Sequence, residues 1–372
     1  MGARGSCCRR IRGLVGWREL HNYDSDPEAH SSMGSLGVER LWPSHGSFLA
    51  PHRSSSKGQT LLNESELTWE PGRKPSMALS GASDSTLRLW DLDAGACLGI
   101  LEGHGKNIWS VCADFDEQRA LSGSSDSTLR LWDLEAKACL GILLGHSEAV
   151  LSVFADFKVL QAISASDDST LRIWDLTVFA CLGALKGHSS SVRSVCADFK
   201  AQRAVSGSRD ETLRIWDLSD KTCLGTLRGH RAEVMVVRAD FCAQRAVSGS
   251  RDRTLRVWDL ESQECLGTIE EAFIGMVADL SMDFVSRMVV ACGAENRIRI
   301  WDLQHLTCVG DLEGHAFDVR TVSVDFARQK AVSGGDDRTL RVWDLASKTC
   351  VSTLEGHVGI VTTVSAHIRA CF

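Results

Sequence analysis

The dipeptide Trp-Asp recurs seven times along the 372-residue chain, and this recurrence constrains the fold more than any other feature. Successive copies are separated by 42, 42, 42, 42, 43 and 42 residues. Ala201–Asp210 and Ala243–Asp252 are identical ten-residue strings that lie one period apart. A fixed period of this size indicates a repeat architecture, in which each unit buries its apolar face against its neighbours.

Each unit is predicted to contain four short strands. In one unit Val192–Val195 alternates in polarity, Thr212–Trp216 is β-branched and aromatic, and Thr222–Leu227 precedes a Gly-His pair. Short runs of this kind, separated by turn residues, are typical of strands. All five prolines lie within the first 75 residues. Because proline is excluded from central strands, a sheet-rich body is predicted behind an irregular leader.

Gly-His followed by Trp-Asp at this period resembles the WD-repeat (WD40) family of β-propellers. The resemblance covers roughly residues 77–372. It implies an all-β fold, a seven-bladed β-propeller with four-stranded antiparallel blades. We therefore predict two domains, a mostly disordered leader over residues 1–76 and a propeller over residues 77–372.

The family pattern implies a buried, hydrogen-bonded tetrad of His, Ser, Asp and Trp in each complete unit. Such a network stabilises only when it is complete, because each buried polar group without a partner costs about 1–3 kcal/mol. Five units carry the full set: His104, Ser122, Asp126 and Trp132; His146, Ser164, Asp168 and Trp174; His188, Ser206, Asp210 and Trp216; His230, Ser248, Asp252 and Trp258; and His315, Ser333, Asp337 and Trp343.

The first and last repeats predict how the ring closes. The first unit has Ser80, Asp84 and Trp90 without an upstream Gly-His, whereas His357 and one more strand follow the last Trp-Asp. The two fragments add up to one blade, so the C-terminal strand is predicted to complete the first blade and to bring His357 to its tetrad. The alternative is that Glu66–Glu70 supplies that inner strand and the C-terminal strand begins an eighth blade.

The sixth unit is expected to lack the network as a whole. Glu271 and Ala272 are placed at the Gly-His positions, Ala291 at the Ser position and Glu295 at the Asp position, while Trp301 is kept. We expect this blade to be the least stable of the ring.

The sequence predicts neither an enzyme nor a metal site. His, Ser and Asp resemble a hydrolase triad, but the set recurs in unit after unit and lies outside any Gly-x-Ser-x-Gly turn, so no catalytic residue and no cofactor are expected. One cysteine follows each repeat Trp by seven residues, which is too far apart for disulfides and lacks the close pairing of zinc ligands. These cysteines are predicted to be packing residues: Cys97, Cys139, Cys181, Cys223, Cys265, Cys308 and Cys350.

Two further positions repeat. An Arg precedes each repeat Trp by two residues, and an Asp precedes a Phe in six units. We expect these residues to form a pair between strands. The Asp-Phe turn also departs from the Ser-Pro-Asp-Gly turn that is usual in the family.

Partner contacts are expected where the repeats differ. In propellers of the family these contacts cluster on the face that carries the turns between second and third strands. Basic and apolar residues at those positions suit an acidic or phosphorylated peptide with a hydrophobic residue. The predicted partner-binding residues are Trp109, Leu151, Arg193, Arg209, Met235 and Arg251. The net charge of -7 argues against direct nucleic-acid binding.

The first residues predict lipidation. Met1–Ser6 fits the N-myristoylation pattern at Gly2, and Cys7 and Cys8 follow as palmitoylation candidates beside arginines. A second lipid or a basic patch is needed for stable anchoring, so the hypothesis is peripheral membrane contact through this leader. The alternative is a basic, disordered start or a weak organelle-targeting leader. The apolar core of a secretory signal is absent, which predicts a cytoplasmic protein, membrane-associated through the leader; a nuclear location is also compatible.

The function predicted from these features is a non-enzymatic protein–protein interaction scaffold. The alternatives are a substrate-recognition subunit of a ubiquitin ligase and a scaffold subunit of an RNA-processing complex. A fold of this kind does not by itself choose among them.

Overall fold

The structure is a computed structural model that describes residues 75–368, in which 28 β-strands form seven four-stranded antiparallel sheets. We number the sheets as blades 1 to 7 in the order of their Trp-Asp pairs. The predicted lipidation residues Gly2, Cys7 and Cys8 and the segment Glu66–Glu70 lie outside the described residues. The division into two domains at residue 76 stays a prediction.

Each blade has four strands that follow one another from the centre of the ring outward. From inside to outside, blade 1 contains β28 (Val361–His367), β1 (Met77–Ala82), β2 (Leu87–Asp91) and β3 (Ala96–Leu101); blade 2 contains β4 (Ile108–Asp114), β5 (Arg119–Ser124), β6 (Leu129–Asp133) and β7 (Ala138–Leu143); blade 3 contains β8 (Val150–Asp156), β9 (Gln161–Ser166), β10 (Thr170–Asp175) and β11 (Ala180–Lys186). In the same direction, blade 4 contains β12 (Val192–Asp198), β13 (Arg203–Ser208), β14 (Thr212–Asp217) and β15 (Thr222–Arg228); blade 5 contains β16 (Val234–Asp240), β17 (Arg245–Ser250), β18 (Leu255–Asp259) and β19 (Cys265–Ile269); blade 6 contains β20 (Val277–Asp283), β21 (Met288–Gly293), β22 (Arg297–Asp302) and β23 (Thr307–Glu313); blade 7 contains β24 (Val319–Asp325), β25 (Lys330–Gly335), β26 (Leu340–Asp344) and β27 (Thr349–Leu354).

The last strand closes the ring. β28 pairs antiparallel with β1, so that His367 lies opposite Met77 and Val364 opposite Ser80. The inner strands of successive blades contact one another in cyclic order, including β28 with β4 and β24 with β28. The predicted seven-bladed ring is therefore confirmed, and the alternative of an eighth blade begun by this strand is wrong.

The core lies between blades as well as within them. Trp132 of blade 2 is 1% exposed and packs in a cluster with Leu79 and Leu89 of blade 1. In five blades the second strand has a glycine where the next blade approaches it closely. A Cβ added at Gly123 would lie 2.6 Å from Val150 Cγ1 of blade 3, which explains why glycine is required there.

The Asp-Phe turns between first and second strands are stabilised by their own side chains. In blade 7 the Asp325 carboxylate accepts the backbone N–H of Arg328 at 3.0 Å. Gln329 has a left-handed φ of 53°, and its amide donates to the Phe326 carbonyl at 2.8 Å. These contacts replace the Pro and Gly of the usual family turn.

Candidate interaction surface

The tetrad of blade 4 is a directional chain of hydrogen bonds. Trp216 Nε1 donates to Ser206 Oγ at 2.8 Å, Ser206 Oγ lies 2.8 Å from His188 Nε2, and His188 Nδ1 lies 2.8 Å from Asp210 Oδ2. A carboxylate can only accept, so His188 carries its proton on Nδ1 and accepts the Ser206 hydroxyl at Nε2. Every donor in the chain thus has an acceptor.

The same geometry recurs in six blades. The His–Asp distances are 2.7 to 3.0 Å, the His–Ser distances 2.7 to 2.8 Å and the Trp–Ser distances 2.8 Å. In blade 1 His357 reaches Ser80 and Asp84 across the ring closure. The structure therefore brings together each of the six sets singled out from the sequence.

Each tetrad Asp also joins two turns. Asp210 Oδ2 accepts the backbone N–H of Ser189, next to His188, at 3.0 Å, while Oδ1 accepts Thr212 Oγ1 at 2.6 Å. The carboxylate thus fastens the Gly-His turn to the turn between the second and third strands. Because its polar atoms are engaged with one another, the tetrad is a structural network.

Burial and hydrogen bonding shift the titration of these groups in opposite directions. Burial alone would raise the pKa of Asp84 and Asp126, but hydrogen bonds from Thr and His hold the pKa of each at about 2. Burial lowers the pKa of the tetrad histidines in three blades, and their Asp partners only partly offset it; these are His104, His315 and His357. The three histidines are therefore neutral in the folded protein near pH 7.

Blade 6 departs from the expected alignment. Phe273, not Ala272, occupies the position of the tetrad His, because Ile274 N donates to Glu295 as the residue after His donates to Asp in the other blades. The extra residue of the 43-residue spacing lies between Ile269, the end of β19, and Phe273. Phe273 is 1% exposed and fills the space with an apolar ring.

The network of blade 6 is replaced rather than simply lost. The side chain of Glu295 is only 4% exposed, and its Oε2 accepts Arg299 Nη2 at 3.0 Å. The Arg299 guanidinium in turn lies 5.4 Å from the centroid of the Phe273 ring, within the range of a cation–π contact. Ala291 offers no hydroxyl, and Trp301 Nε1 has no hydrogen-bond partner.

The repeated cysteines and arginines contact each other, which contradicts both predictions made for them. Cys97, Cys139, Cys181, Cys223, Cys265 and Cys308 are exposed on the outer strands, and Cys350 is half-buried. In five blades the repeated Arg donates to this thiol, as Arg214 Nη1 does to Cys223 Sγ at 3.5 Å. The Asp of the Asp-Phe turn instead accepts amides of its own turn, as Asp198 does from Lys200 and Ala201. All cysteines in the part of the chain that the structure describes are free thiols.

Three arginines predicted for partner binding converge on one carboxylate. Glu233 of blade 5, whose side chain is 14% exposed, lies 3.0 Å from Arg209 Nε, 3.5 Å from Arg251 Nη1 and 3.6 Å from Arg193 Nη2. We call Arg193, Arg209 and Arg251 the arginine cluster. Its three positive charges exceed the single charge of Glu233, and the buried Nε of Arg193 has no partner. Glu233 therefore neutralises only part of the charge of the cluster.

The predicted apolar anchors are less available than the arginines. Trp109 is 40% exposed, but its indole N–H donates to Ser125 Oγ at 2.6 Å. Leu151 and Met235 are half-buried on their inner strands. They lie in blades 3 and 5, while Trp109 lies in blade 2, so the three side chains are spread over three blades.

Sequence reasoning missed three strongly exposed apolar side chains of this face. Ile274 is 78% exposed, Val358 73% and Phe317 63%. Each follows the tetrad His, or its replacement, by one or two residues. The signal was present in the sequence, because other repeats have polar or charged residues there, such as Ser147 and Lys106.

Two classes of site are not found in residues 75–368. No group of three or more His, Cys, Asp or Glu side chains in this range is arranged to hold a metal ion. The range also contains no helix with the length and hydropathy needed to cross a bilayer.

Seven four-stranded blades in a closed ring, with one face pinned by recurring tetrads, define a β-propeller built from repeats. The family model described as WD domain, G-beta repeat matches residues 95–133, 137–175, 179–217, 221–259 and 306–344. These segments make up slightly more than half of the chain, and the chain belongs to the WD40 family. The matched segments leave out β20, β21 and β22, three of the four strands of blade 6, the blade without a tetrad. No match was found among curated proteins.

Proposed function

We propose that the propeller is a non-enzymatic scaffold that binds an acidic segment of a partner protein through the arginine cluster. Membership of the WD40 family supports a role in protein interaction. The observation that carries the finer proposal is the convergence of three guanidinium groups on the single carboxylate of Glu233. An internal carboxylate already occupies part of the cluster, so a carboxylate or phosphate of a partner matches the chemistry that the arginines present.

The exposure of the cluster makes it accessible from solvent. The side chains of Arg209 and Arg251 are 50% and 62% exposed, whereas Glu233 beneath them is 14% exposed. Arg209 and Arg251 are thus held by Glu233 on their buried side and exposed to solvent on the other. Guanidinium groups preorganised in this way lose little conformational freedom when an anion binds.

Charge reversal with a matched control tests the proposal. Arg209→Glu with Arg251→Glu changes the cluster, while Lys158→Glu with Lys200→Glu makes the same change in net charge at the turns of the opposite face. Fluorescence anisotropy of a labelled oligoglutamate peptide, and of a phosphoserine version of it, measures binding. We expect the arginine variant to bind at least about tenfold more weakly than wild type, and the lysine variant to bind like wild type.

Equal affinity of the two variants for both peptides would overturn the proposal. Binding of only the phosphoserine peptide would narrow the partner to a phosphorylated segment. The other sequence-derived roles, in ubiquitin ligation or RNA processing, and the lipid tether at Gly2 stay predictions. No feature of residues 75–368 favours one of them.

A further inference from the structure

On the face that carries the arginine cluster in blades 4 and 5, blade 6 is apolar at the equivalent positions. At the positions of Arg231, Glu233 and Arg251 in blade 5, blade 6 has Ile274, Met276 and Ala294, and its inner strand has Ala278 where blade 4 has Arg193. We call Ile274, Met276, Ala278 and Ala294 the blade 6 patch. Ile274 is 78% exposed, and the other three are half-buried. No other blade in the described range replaces all of these positions with uncharged apolar residues.

The repeat places this patch directly beside the cluster. Arg209 of blade 4 contacts Glu233, which lies at the third position after the tetrad His of blade 5. The residue that has the same relation to Arg251 in the next blade is Met276, the third after Phe273. The patch therefore begins on the side of Arg251 that faces away from Glu233.

The exposed isoleucine is held in place by the surrounding backbone. Its N–H donates to the buried carboxylate of Glu295, and the N–H of Ala272 donates to the Arg253 carbonyl at 2.9 Å. A Cβ added at Gly275 would lie 2.6 Å from Ala294 Cβ, so the turn is pressed against its neighbour. With Phe273 filling the interior, the side chain of Ile274 is directed outward from a fixed turn. An apolar side chain on a fixed turn is suited to binding, because the backbone loses little conformational freedom on contact.

We infer that the partner segment bound by the arginine cluster carries a bulky aliphatic or aromatic side chain next to its acidic residues, and that the blade 6 patch receives this side chain. The inference rests on the proposed function. It commits to one occupant, an acidic segment with an adjacent apolar residue, because an excess of positive charge and an apolar patch adjoin on one face.

The other exposed apolar side chains of the face are less suited to the same segment. Phe317 and Val358 belong to blades 7 and 1, and the acidic residues Asp318 and Asp336 lie around Arg320 in blade 7. Arg320 binds Asp336 through two bonds of 2.6 and 2.7 Å, so its charge is already matched. A segment that is acidic would be repelled there.

Peptide binding tests the inference. The probes are labelled peptides with a run of glutamates and one leucine placed at varied spacing on either side, each paired with a version that has serine in place of leucine. We expect wild type to prefer at least one leucine peptide by about tenfold over its serine version. Ile274→Ser with Met276→Ser should abolish that preference, while Val358→Ser, a change at a similarly exposed residue of blade 1, should retain it. If the double variant does not fold, as judged by near-ultraviolet circular dichroism, Ile274→Ser alone is used.

The outcomes separate this inference from the proposed function. If no leucine peptide is preferred, or if the preference survives the loss of Ile274, the inference is overturned while binding through the arginines stands. If Arg209→Glu with Arg251→Glu leaves all peptides bound as by wild type, the proposed function itself fails. Loss of the preference in the Val358→Ser variant alone would place the apolar contact in blade 1 and overturn the assignment to blade 6.

Discussion

Blade 4 and blade 6 have the same four strands but hold their turns with different chemistry. In blade 4 a chain of hydrogen bonds runs from Trp216 to Asp210 through Ser206 and His188. In blade 6 an apolar ring fills the place of the histidine, and a glutamate bound to Arg299 fastens the turn. In both blades a carboxylate accepts a backbone N–H of the turn before the inner strand, whereas the side chains around that carboxylate differ.

The difference extends to the inner strands. In blade 4 the hydroxyl of Ser194 accepts the backbone N–H of Val237 in blade 5 at 3.1 Å. The equivalent residue of blade 6 is Asp279, which accepts Val322 N at 3.2 Å and also binds Arg238 at 2.9 Å. Blade 6 thus joins both of its neighbours through one carboxylate. This contact opposes the loss of its tetrad, so the predicted low stability of blade 6 stays a prediction.

Acid should have the largest effect on the free energy of unfolding, because it acts on the tetrads of several complete blades at once. The pKa of the tetrad histidines His104, His315 and His357 is lowered from 6.5 by burial. Below pH 6.5 the unfolded chain therefore binds protons that the folded chain does not, and the free energy of unfolding falls as the pH decreases. We expect urea titrations to show a plateau above pH 7 and a decline toward pH 5. An unchanged free energy across this range would contradict the assigned network.

A second loss of stability is expected in stronger acid. The pKa of Asp84 and Asp126 is about 2 in the folded protein, against an ordinary value of 3.8 for this side chain. Their contribution is thus present above pH 4 and is lost as the pH falls toward 2. In blade 7 the sign is opposite at Asp318, whose pKa is raised by burial and by the charges of Asp336 and Glu295. Urea titrations between pH 4 and pH 2 should show this second decline in the free energy of unfolding.

Replacing the repeat tryptophan by phenylalanine should have an intermediate effect on stability, and the effect should differ between blade 4 and blade 6. Trp216→Phe removes an indole N–H that donates to Ser206, so we expect a loss of about 1–2 kcal/mol beyond the change in packing. Trp301→Phe makes the same change in volume but removes a donor without a partner. Each variant serves as the control of the other in urea titrations. Equal losses in the two blades would show that the hydrogen bond to Ser206 contributes nothing measurable.

Introducing a serine hydroxyl at the tetrad position of blade 6 should have the smallest effect on the free energy of unfolding. Ala291 is fully buried at the position of the tetrad Ser, and Ala291→Ser offers Trp301 Nε1 an acceptor. We expect the free energy of unfolding to rise by about 0.5–1 kcal/mol. Ala331→Ser is the control, since Trp343 beside it already donates to Ser333, and a loss is expected there. A loss of the same size at both positions would contradict the proposed partner for Trp301.

The repeat made much of the fold predictable from the sequence. Tetrad residues stand at constant offsets from Trp-Asp, so their hydrogen bonds follow from the period alone. The contact of His357 with Asp84 was also predictable. The first repeat lacks an inner strand and one strand is left over after the last repeat, so the two together make one blade. The spacing within each repeat is enough to predict the tetrads, because their residues lie in the same blade or at the ring closure and do not depend on how neighbouring blades pack.

The remainder depends on contacts that spacing does not reveal. A spacing of 43 residues admits an extra residue anywhere between Trp258 and Trp301, and only the strand end at Ile269 places it before Phe273. The arginine cluster was predicted, but its meeting with Glu233 was not, because these residues adjoin only in the folded ring. The cysteines were misassigned since an outer strand has one side open to solvent, a property that the residue type alone does not indicate.

The closure of the ring by β28 has a consequence for synthesis on the ribosome. Ser80 and His357, which meet in the first tetrad, are separated by 277 residues. The strand edge of β1 therefore has no partner until nearly the whole domain has been translated. Contacts of such long range are slow to form, and an unpaired strand edge readily recruits strands of other chains. The nascent chain should thus depend on chaperones that shield blade 1 until its inner strand emerges.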